Sequence, residues 1–319
     1  MRYGESGFHG HMSDRIYDFN TYLRNLYGER VQKISIDAGL TCPNRDGTKS
    51  FGGCIFCNSK GSGTGEGLLA GRSVREQILR QQQAIGRRYK ARKFLAYFQS
   101  FSNTYAPFQI LKHLYDEALS VEGIVGLCIG TRPDCLDPKV MGLLASYAAQ
   151  DYLIWLELGL QSFHEQTLQR INRGHGIREF LEAVDLAQNY PKINLCVHVI
   201  LGLPGEGKAE MIDTARRLSQ LPIQGIKLHL LYVIKGTPLA SLYQRGEYRC
   251  LSREEYLDIL CEFIQYLPPT MVIQRLISDP HPDELLAPAW ALNGGENRRQ
   301  IEQALVARDI RQGQKMINF

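Results

Sequence analysis

The sequence predicts an α/β protein built on parallel strands, and three observations carry that expectation. Six short apolar runs alternate with helical stretches from residue 31 onward. The runs are apolar nearly throughout rather than every second residue, as in strands covered on both faces. Several helical stretches also open on recognisable start signals.

The strand candidates are 31–37 (VQKISID), 93–98 (KFLAYF), 124–129 (IVGLCI), 153–158 (LIWLEL), 195–200 (LCVHVI) and 226–232 (IKLHLLY). Helical patterns fall between them at 73–86, 106–120, 137–149, 177–189 and 208–220. Ser73 with Glu76 three residues later forms a capping box, and Asp137-Pro138 supplies a cap followed by a first-turn proline. A barrel-like sheet and an open doubly wound sheet both satisfy this alternation. Both place their chemistry at the C-terminal ends of strands, here the loops after Asp37, Phe98, Gly130, Leu158, Ile200 and Tyr232.

After about residue 250 the texture changes. A helix over 253–265 is followed by PPTMVIQRLISDPHPDELLAPAW and a basic helical tail. The expected organisation is an N-terminal leader and helix (1–30), an α/β domain (31–249) and a C-terminal extension (250–319). Residues 1–12 show no periodicity and read as a leader.

Bulk composition sets the outer limits. The 319 residues suggest about two domains, and 44% hydrophobic with 22% charged residues is ordinary globular composition. No run of about 18 apolar residues exists, so no membrane span is expected. The N-terminus has no apolar h-region, so free thiols point to the cytosol. The net charge of +4 is too mild to mark a nucleic-acid binder by itself. Its basic residues do cluster, at 87–93 (RRYKARK) and along Arg298, Arg299, Arg308, Arg311 and Lys315, where solvated helix faces are the plainer reading.

Eight cysteines are too few for a disulfide scaffold in a chain of this length, and three of them lie between positions 42 and 57. The loop after the first strand reads TCPNRDGTKSFGGCIFC, a C-x11-C-x2-C pattern with glycines at 52, 53, 61, 63 and 65. A C-x2-C turn lets two thiolates converge, and glycines let the third fold back onto them. Chance burial is a poor account, because structural cysteines prefer apolar surroundings. Zinc needs a fourth ligand, and the next candidates, His113 and Cys128, sit on other elements. A redox C-x-x-C pair leaves Cys42 unexplained. There remains an iron–sulfur cluster with three protein thiolates and one open iron, the arrangement that radical chemistry with S-adenosylmethionine (SAM) requires.

These residues resemble the radical SAM superfamily, and within it the YhcC/YtqA-type family. The resemblance runs from about residue 15 through SIDAGLTCPNRDGTKSFGGCIFC, AYFQSFSNTYAP, GLCIGTRPDCL, WLELGLQS with NRGH, HVILGLPGE and IKLHLLYVIKGTPLA. The long first cysteine interval departs from the commoner C-x3-C-x2-C. That interval and the QRLISDP segment are similar to the radical SAM half of the elongator catalytic subunit, though this chain has no room for its acetyltransferase domain. The fold expected is a partial (βα)6 TIM-like barrel of parallel strands with a C-terminal α+β cap.

By this resemblance Cys42, Cys54 and Cys57 hold a [4Fe–4S] cluster, and SAM chelates the fourth iron through its amino and carboxylate groups. Phe56 would pack beside the adenine, where a plain hydrophobic plug is the competing reading. Gln99 and Asn103 stand where the superfamily's GGE motif meets the SAM amino group, although the glycines and glutamate are missing. Glu157 and Gln161 lie where polar groups approach the ribose and methionine, and Gly202 matches the glycine that lets backbone approach the adenine. Lys60 is placed to pair with the SAM carboxylate, against the reading of a solvated lysine. Arg132 and Asp134 face cofactor or substrate, or form a local ion pair.

The implied chemistry is reductive cleavage of SAM to a 5′-deoxyadenosyl radical, fed by a flavodoxin- or ferredoxin-type donor. The implied substrate is a tRNA wobble uridine side chain, with a protein or a small molecule as the alternative. Two rivals come from other classes. Gly202 to Lys208 fits G-x-x-x-x-G-K, but Ala209 stands where a P-loop needs Ser or Thr and Pro204 removes a cradle donor. A metal-stabilised RNA-binding protein is the non-enzymatic alternative.

Overall fold

The computed structural model describes residues 12–58, 61 and 71–316. Its main sheet contains all six expected strands: β1 (Val31–Ile36), β2 (Lys93–Phe98), β3 (Ile124–Thr131), β4 (Leu153–Gln161), β5 (Ile193–Leu201) and β6 (Gly225–Leu230). Short strand β7 (Val233–Ile234) follows, and β8 (Val272–Arg275) joins the sheet beyond β6. All seven main strands are parallel, in the order β1-β2-β3-β4-β5-β6-β8. Because the order never reverses, there is no topological switch point, and the doubly wound alternative falls away. The sheet curls into a half-barrel with β1 and β8 at its edges.

The seventh strand is a departure from the six expected. It comes from the stretch read as cap, where four residues between PPT and a polar segment give too short a run to register as a strand. The rest of that stretch does form a small α+β layer. It comprises α9 (Arg253–Gln265), β9 (Leu285–Ala287), which pairs antiparallel with β7, and α10 (Gly294–Ala307).

Helices α2 (Val74–Tyr89), α3 (Phe108–Leu119), α4 (Pro138–Ala148), α6 (Ile177–Gln188) and α7 (Lys208–Leu218) cover the convex face, while the short α5 (Glu165–Arg170) follows β4 and α8 (Pro238–Gln244) follows β7. The predicted caps form. Ser73 Oγ accepts from the Glu76 amide at 3.2 Å while the Glu76 carboxylate accepts from the Ser73 amide at 2.8 Å, and Asp137 Oδ1 accepts from the Val140 amide at 2.8 Å. Between helices and sheet lies the main core, with Ile34, Phe98, Leu127, Ile129, Leu156, Leu158 and Val197 fully or almost fully buried.

The concave face is filled from below. Leu23, Val31, Leu95, Tyr97, Cys128, Trp155, Cys196 and Val272 form an apolar floor. Helix α1 (Phe19–Tyr27) plugs it, with Phe19 and Tyr22 edge-on to Trp155 at 5.8 and 5.5 Å. The Ile273 amide donates to Tyr17 O at 2.8 Å, so the segment before α1 and strand β8 meet at one edge. Residues 1–11 of the expected leader lie outside the described residues. Among the described residues no helix is long and apolar enough to cross a membrane.

Candidate active site

Above the apolar floor, the barrel opens at the C-terminal ends of its strands. There a cavity is lined by the cysteine loop, by Tyr97, Gln99, Glu157, Gln161, His198, His229 and Arg275 from the strands, and by Arg132 and Arg173 from the loops.

The cysteine loop is held in shape by backbone bonds. The Cys57 amide donates to Cys54 O at 2.9 Å, closing the C-x2-C turn, and the Gly53 amide donates to Asn44 O at 2.8 Å, folding the long interval back. Gly52 and Gly53 have φ of 81° and 83°, a left-handed backbone that favours glycine. The NRGH segment, Asn172 to His175, clamps this loop. Asn44 Nδ2 donates to Asn172 O at 2.6 Å, Asn172 Nδ2 donates to Gly53 O at 2.9 Å, and the Ile55 amide donates to Ile171 O at 3.0 Å.

Donors surround the thiols. Arg173 Nη1 reaches Cys54 Sγ at 3.5 Å, Asn44 Nδ2 reaches the same sulfur at 3.8 Å, and Arg132 Nη1 reaches Cys42 Sγ at 4.0 Å. Burial and then its cysteine neighbour Cys54 push the Cys57 thiol up to about 12, so this sulfur ionises only against added positive charge such as iron. Among the described residues no three His, Cys, Asp or Glu side chains come close enough to hold a single metal ion. The three thiols share one wall of the cavity, where a cluster would give each thiolate a different iron.

Arg132 is held by Asp134 in a forked pair at 2.9 and 2.8 Å, and Lys49 reaches Asp134 at 2.7 Å. The local ion pair is therefore real, and it also aims a guanidinium at Cys42. Despite burial, the Arg132 hydrogen bonds and charge lower Asp134 to about 2. Burial, with Arg173 and Arg132 next to it, lowers His175 to about 3 and keeps it neutral.

Below the cysteines lies a charged layer that the sequence showed only in part. Glu157 is completely buried and holds Lys33 at 3.0 Å, His198 at 2.9 Å and Lys227 closer still. Lys33 also donates to Gln274 Oε1 at 2.6 Å, and Lys227 sits 4.0 Å above the Tyr97 ring. Burial would raise the Glu157 carboxyl, but Lys227, Lys33 and His198 outweigh it and hold it well below the ordinary range. Burial pushes His198 down to about 4 and His229 well below the usual imidazole value, so both are neutral near pH 7.

The site residues expected from sequence divide accordingly. Cys42, Cys54, Cys57, Phe56, Gln99, Glu157 and Gln161 all line the cavity. The Glu157 carboxylate, however, is engaged by its three cationic or N–H partners rather than open to a ribose. Asn103 is not on the lining. Its Nδ2 donates to Phe98 O at 3.1 Å and Gly130 O at 2.8 Å, tying the ends of β2 and β3 together. Gly202 also lies off the lining. Its φ of 91° favours glycine, a Cβ there would come 3.1 Å from Leu251, and its carbonyl accepts from Tyr248 Oη at 2.9 Å. Lys60 lies outside the described residues.

The P-loop rival gains no support from the contacts, since Lys208 pairs with Asp258 at 2.6 Å and Glu262 at 2.8 Å. Sequence reasoning missed Arg173, His198, His229, Lys33, Lys227 and Arg275 as site residues. Lys227 and His229, two apart in an otherwise apolar strand, were the readable sign of a polar interior face.

Comparison with known proteins agrees with this geometry. Residues 42–218 match the family described as "Radical SAM superfamily", and residues 223–307 match "Radical_SAM C-terminal domain". Protein YhcC of Escherichia coli (strain K12) is 40% identical over 90% of this chain and 91% of its own length. YtqA of Bacillus subtilis (strain 168) is 37% identical over 94% of this chain and 92% of its own. Among solved structures, the archaeal Elp3 of Methanocaldococcus infernus shares the fold, with a TM-score of 0.62 at 17% identity. The match covers 88% of this chain and 64% of that one. A half-barrel with three cysteines on its first mouth loop, matched over most of its length, places this chain in the radical SAM superfamily, whose members work with a [4Fe–4S] cluster and SAM.

Proposed function

We propose that this radical SAM enzyme acts on tRNA and modifies the side chain of a wobble uridine. The observation that carries the reading is the cavity itself, which joins the three-thiol loop to a polar, positively charged barrel interior. In this reading Cys42, Cys54 and Cys57 hold the cluster, and Arg132 and Arg173 offset thiolate charge as hydrogen-bond donors to sulfur. Phe56, Gln99 and Gln161 provide the cavity wall against which SAM lies. When bound, the cluster and SAM supply a 5′-deoxyadenosyl radical able to take hydrogen from an unactivated carbon. The protein's share is positioning and exclusion of water, and the plugged lower end of the barrel serves the latter.

The tRNA assignment draws on the similarity of the cysteine interval and the QRLISDP segment to the elongator catalytic subunit. The rim adds support. Phe51, 77% exposed, stands two residues from exposed Lys49, giving an aromatic face with nearby charge for an unstacked base. The two basic clusters do not contribute equally. Residues 87–93 lie where α2 turns into the start of β2, at the end of the barrel away from the mouth. In the tail, Arg308 and Lys315 are paired with Asp258 and Glu262 of α9. A low-potential cluster and eight unpaired cysteines fit a reducing cytoplasm, with a flavodoxin- or ferredoxin-type protein as donor.

The test is the nucleoside profile of bulk tRNA from a strain lacking the gene, read by mass spectrometry. Loss or replacement of one modified uridine is expected. A profile unchanged across several growth conditions would exclude a tRNA substrate.

A further inference from the structure

The cation excess of the barrel interior has one member with no partner. Lys33 and Lys227 are neutralised in part by Glu157, but Arg275, at the end of β8, makes no hydrogen bond or ion pair with any described residue. It is nonetheless only half-exposed and lines the cavity. In register it stands beside Lys227, which in turn stands beside His198. Nε2 of His229 is buried and unpartnered, and the His229 ring lies 5.0 Å from that of His198. A half-buried guanidinium has five donors to satisfy, and an orphaned imidazole nitrogen beside it is a further polar group that burial penalises. Both facts are accounted for by a ligand that brings an anion.

We propose that Arg275 and His229, backed by Lys227, form an anion-binding subsite that takes a carboxylate or phosphate carried by the substrate. The forked guanidinium suits either group, since both present two oxygens to parallel N–H donors. Neutral His229 contributes an uncharged donor at Nε2, and the Lys33–Glu157–Lys227 layer supplies the positive background without being consumed by the ligand. The subsite shares the cavity with the three cysteines but is built from β6 and β8 rather than from the loop after β1. This deepens the functional reading above, on which the use of the subsite in catalysis rests. It narrows the substrate to one with a negatively charged substituent near the carbon that reacts.

The experiment uses the full-length, anaerobically reconstituted protein with excess SAM present to occupy the open iron. Acetate, methyl phosphate and neutral acetamide are titrated by ligand-observed NMR. Saturable binding of acetate or of methyl phosphate is expected, with none for acetamide, and the anion that binds more tightly identifies the group. Arg275→Gln should weaken that anion by at least about tenfold, the scale of a charge-assisted bond, and Arg275→Lys, which keeps charge but loses the fork, should weaken it less. Absence of saturable binding by either anion to the wild-type protein overturns the proposal, whatever the variants do. Equal binding by wild type and a folded Arg275→Gln protein overturns it as well. The same samples, once reduced with dithionite, report 5′-deoxyadenosine, so wild-type protein that cleaves SAM but binds no anion defeats the subsite and spares the reaction class, and the converse result does the reverse.

Discussion

Replacing Cys54 by alanine is expected to bring 5′-deoxyadenosine formation down to background and to strip the protein of its brown iron–sulfur absorbance. The reason is the donor count. The mouth offers three thiols, and Arg173 Nη1 at 3.5 Å and Asn44 Nδ2 at 3.8 Å make Cys54 the most heavily hydrogen-bonded of them. Cys128 is the control. It is fully buried in the floor of the barrel among Leu95, Trp155 and Val272, and Cys128→Ala should keep both iron and SAM cleavage. SAM cleavage at the wild-type rate by Cys54→Ala protein would remove the cluster from this loop.

A comparable effect on stability is expected from Glu157→Gln. The Glu157 side chain is completely buried, with Lys227 at 3% and Lys33 at 20% exposure, so the amide would leave two ammonium groups facing each other without a counter-charge. Breaking a buried pair from one side costs about 3–5 kcal/mol, mostly as the price of the stranded charge. The pH dependence has a definite sign. The folded carboxyl lies well below its ordinary range, so its contribution is fully present above the unfolded value of about 4.3 and declines as pH falls toward the folded one. Urea unfolding should therefore show a large, constant difference between wild type and variant from about pH 6 to 8, shrinking in acid. A difference under about 1 kcal/mol at pH 7 would mean that the lysines are not held as the geometry shows.

The two residues also mark what could be read from the sequence. The cysteine loop was legible because its ligands sit within sixteen residues of one another, on one glycine-rich turn after a strand. Strands β1 to β6 were legible because each is covered on both faces and reads as one apolar run. Glu157 was visible as a charge that must have a partner, but its partners come from β1, β5 and β6, brought beside it only by strand order and curl. Asn103 and Gly202 were assigned to SAM by position along the chain. What decides their roles is the neighbours they meet in space, two carbonyls for one and Leu251 with Tyr248 for the other. Strand β8 escaped because it is only four residues long, and Arg275, the last of them, was hidden with it.

A three-thiolate cluster with an open iron at the barrel mouth underlies the whole of the proposed activity. The direct measurement is metal content and SAM cleavage on one sample of anaerobically reconstituted, dithionite-reduced protein. About four irons per chain, with 5′-deoxyadenosine and methionine released together, is the predicted result. One zinc per chain, or a full cluster with no 5′-deoxyadenosine on reduction, would contradict it.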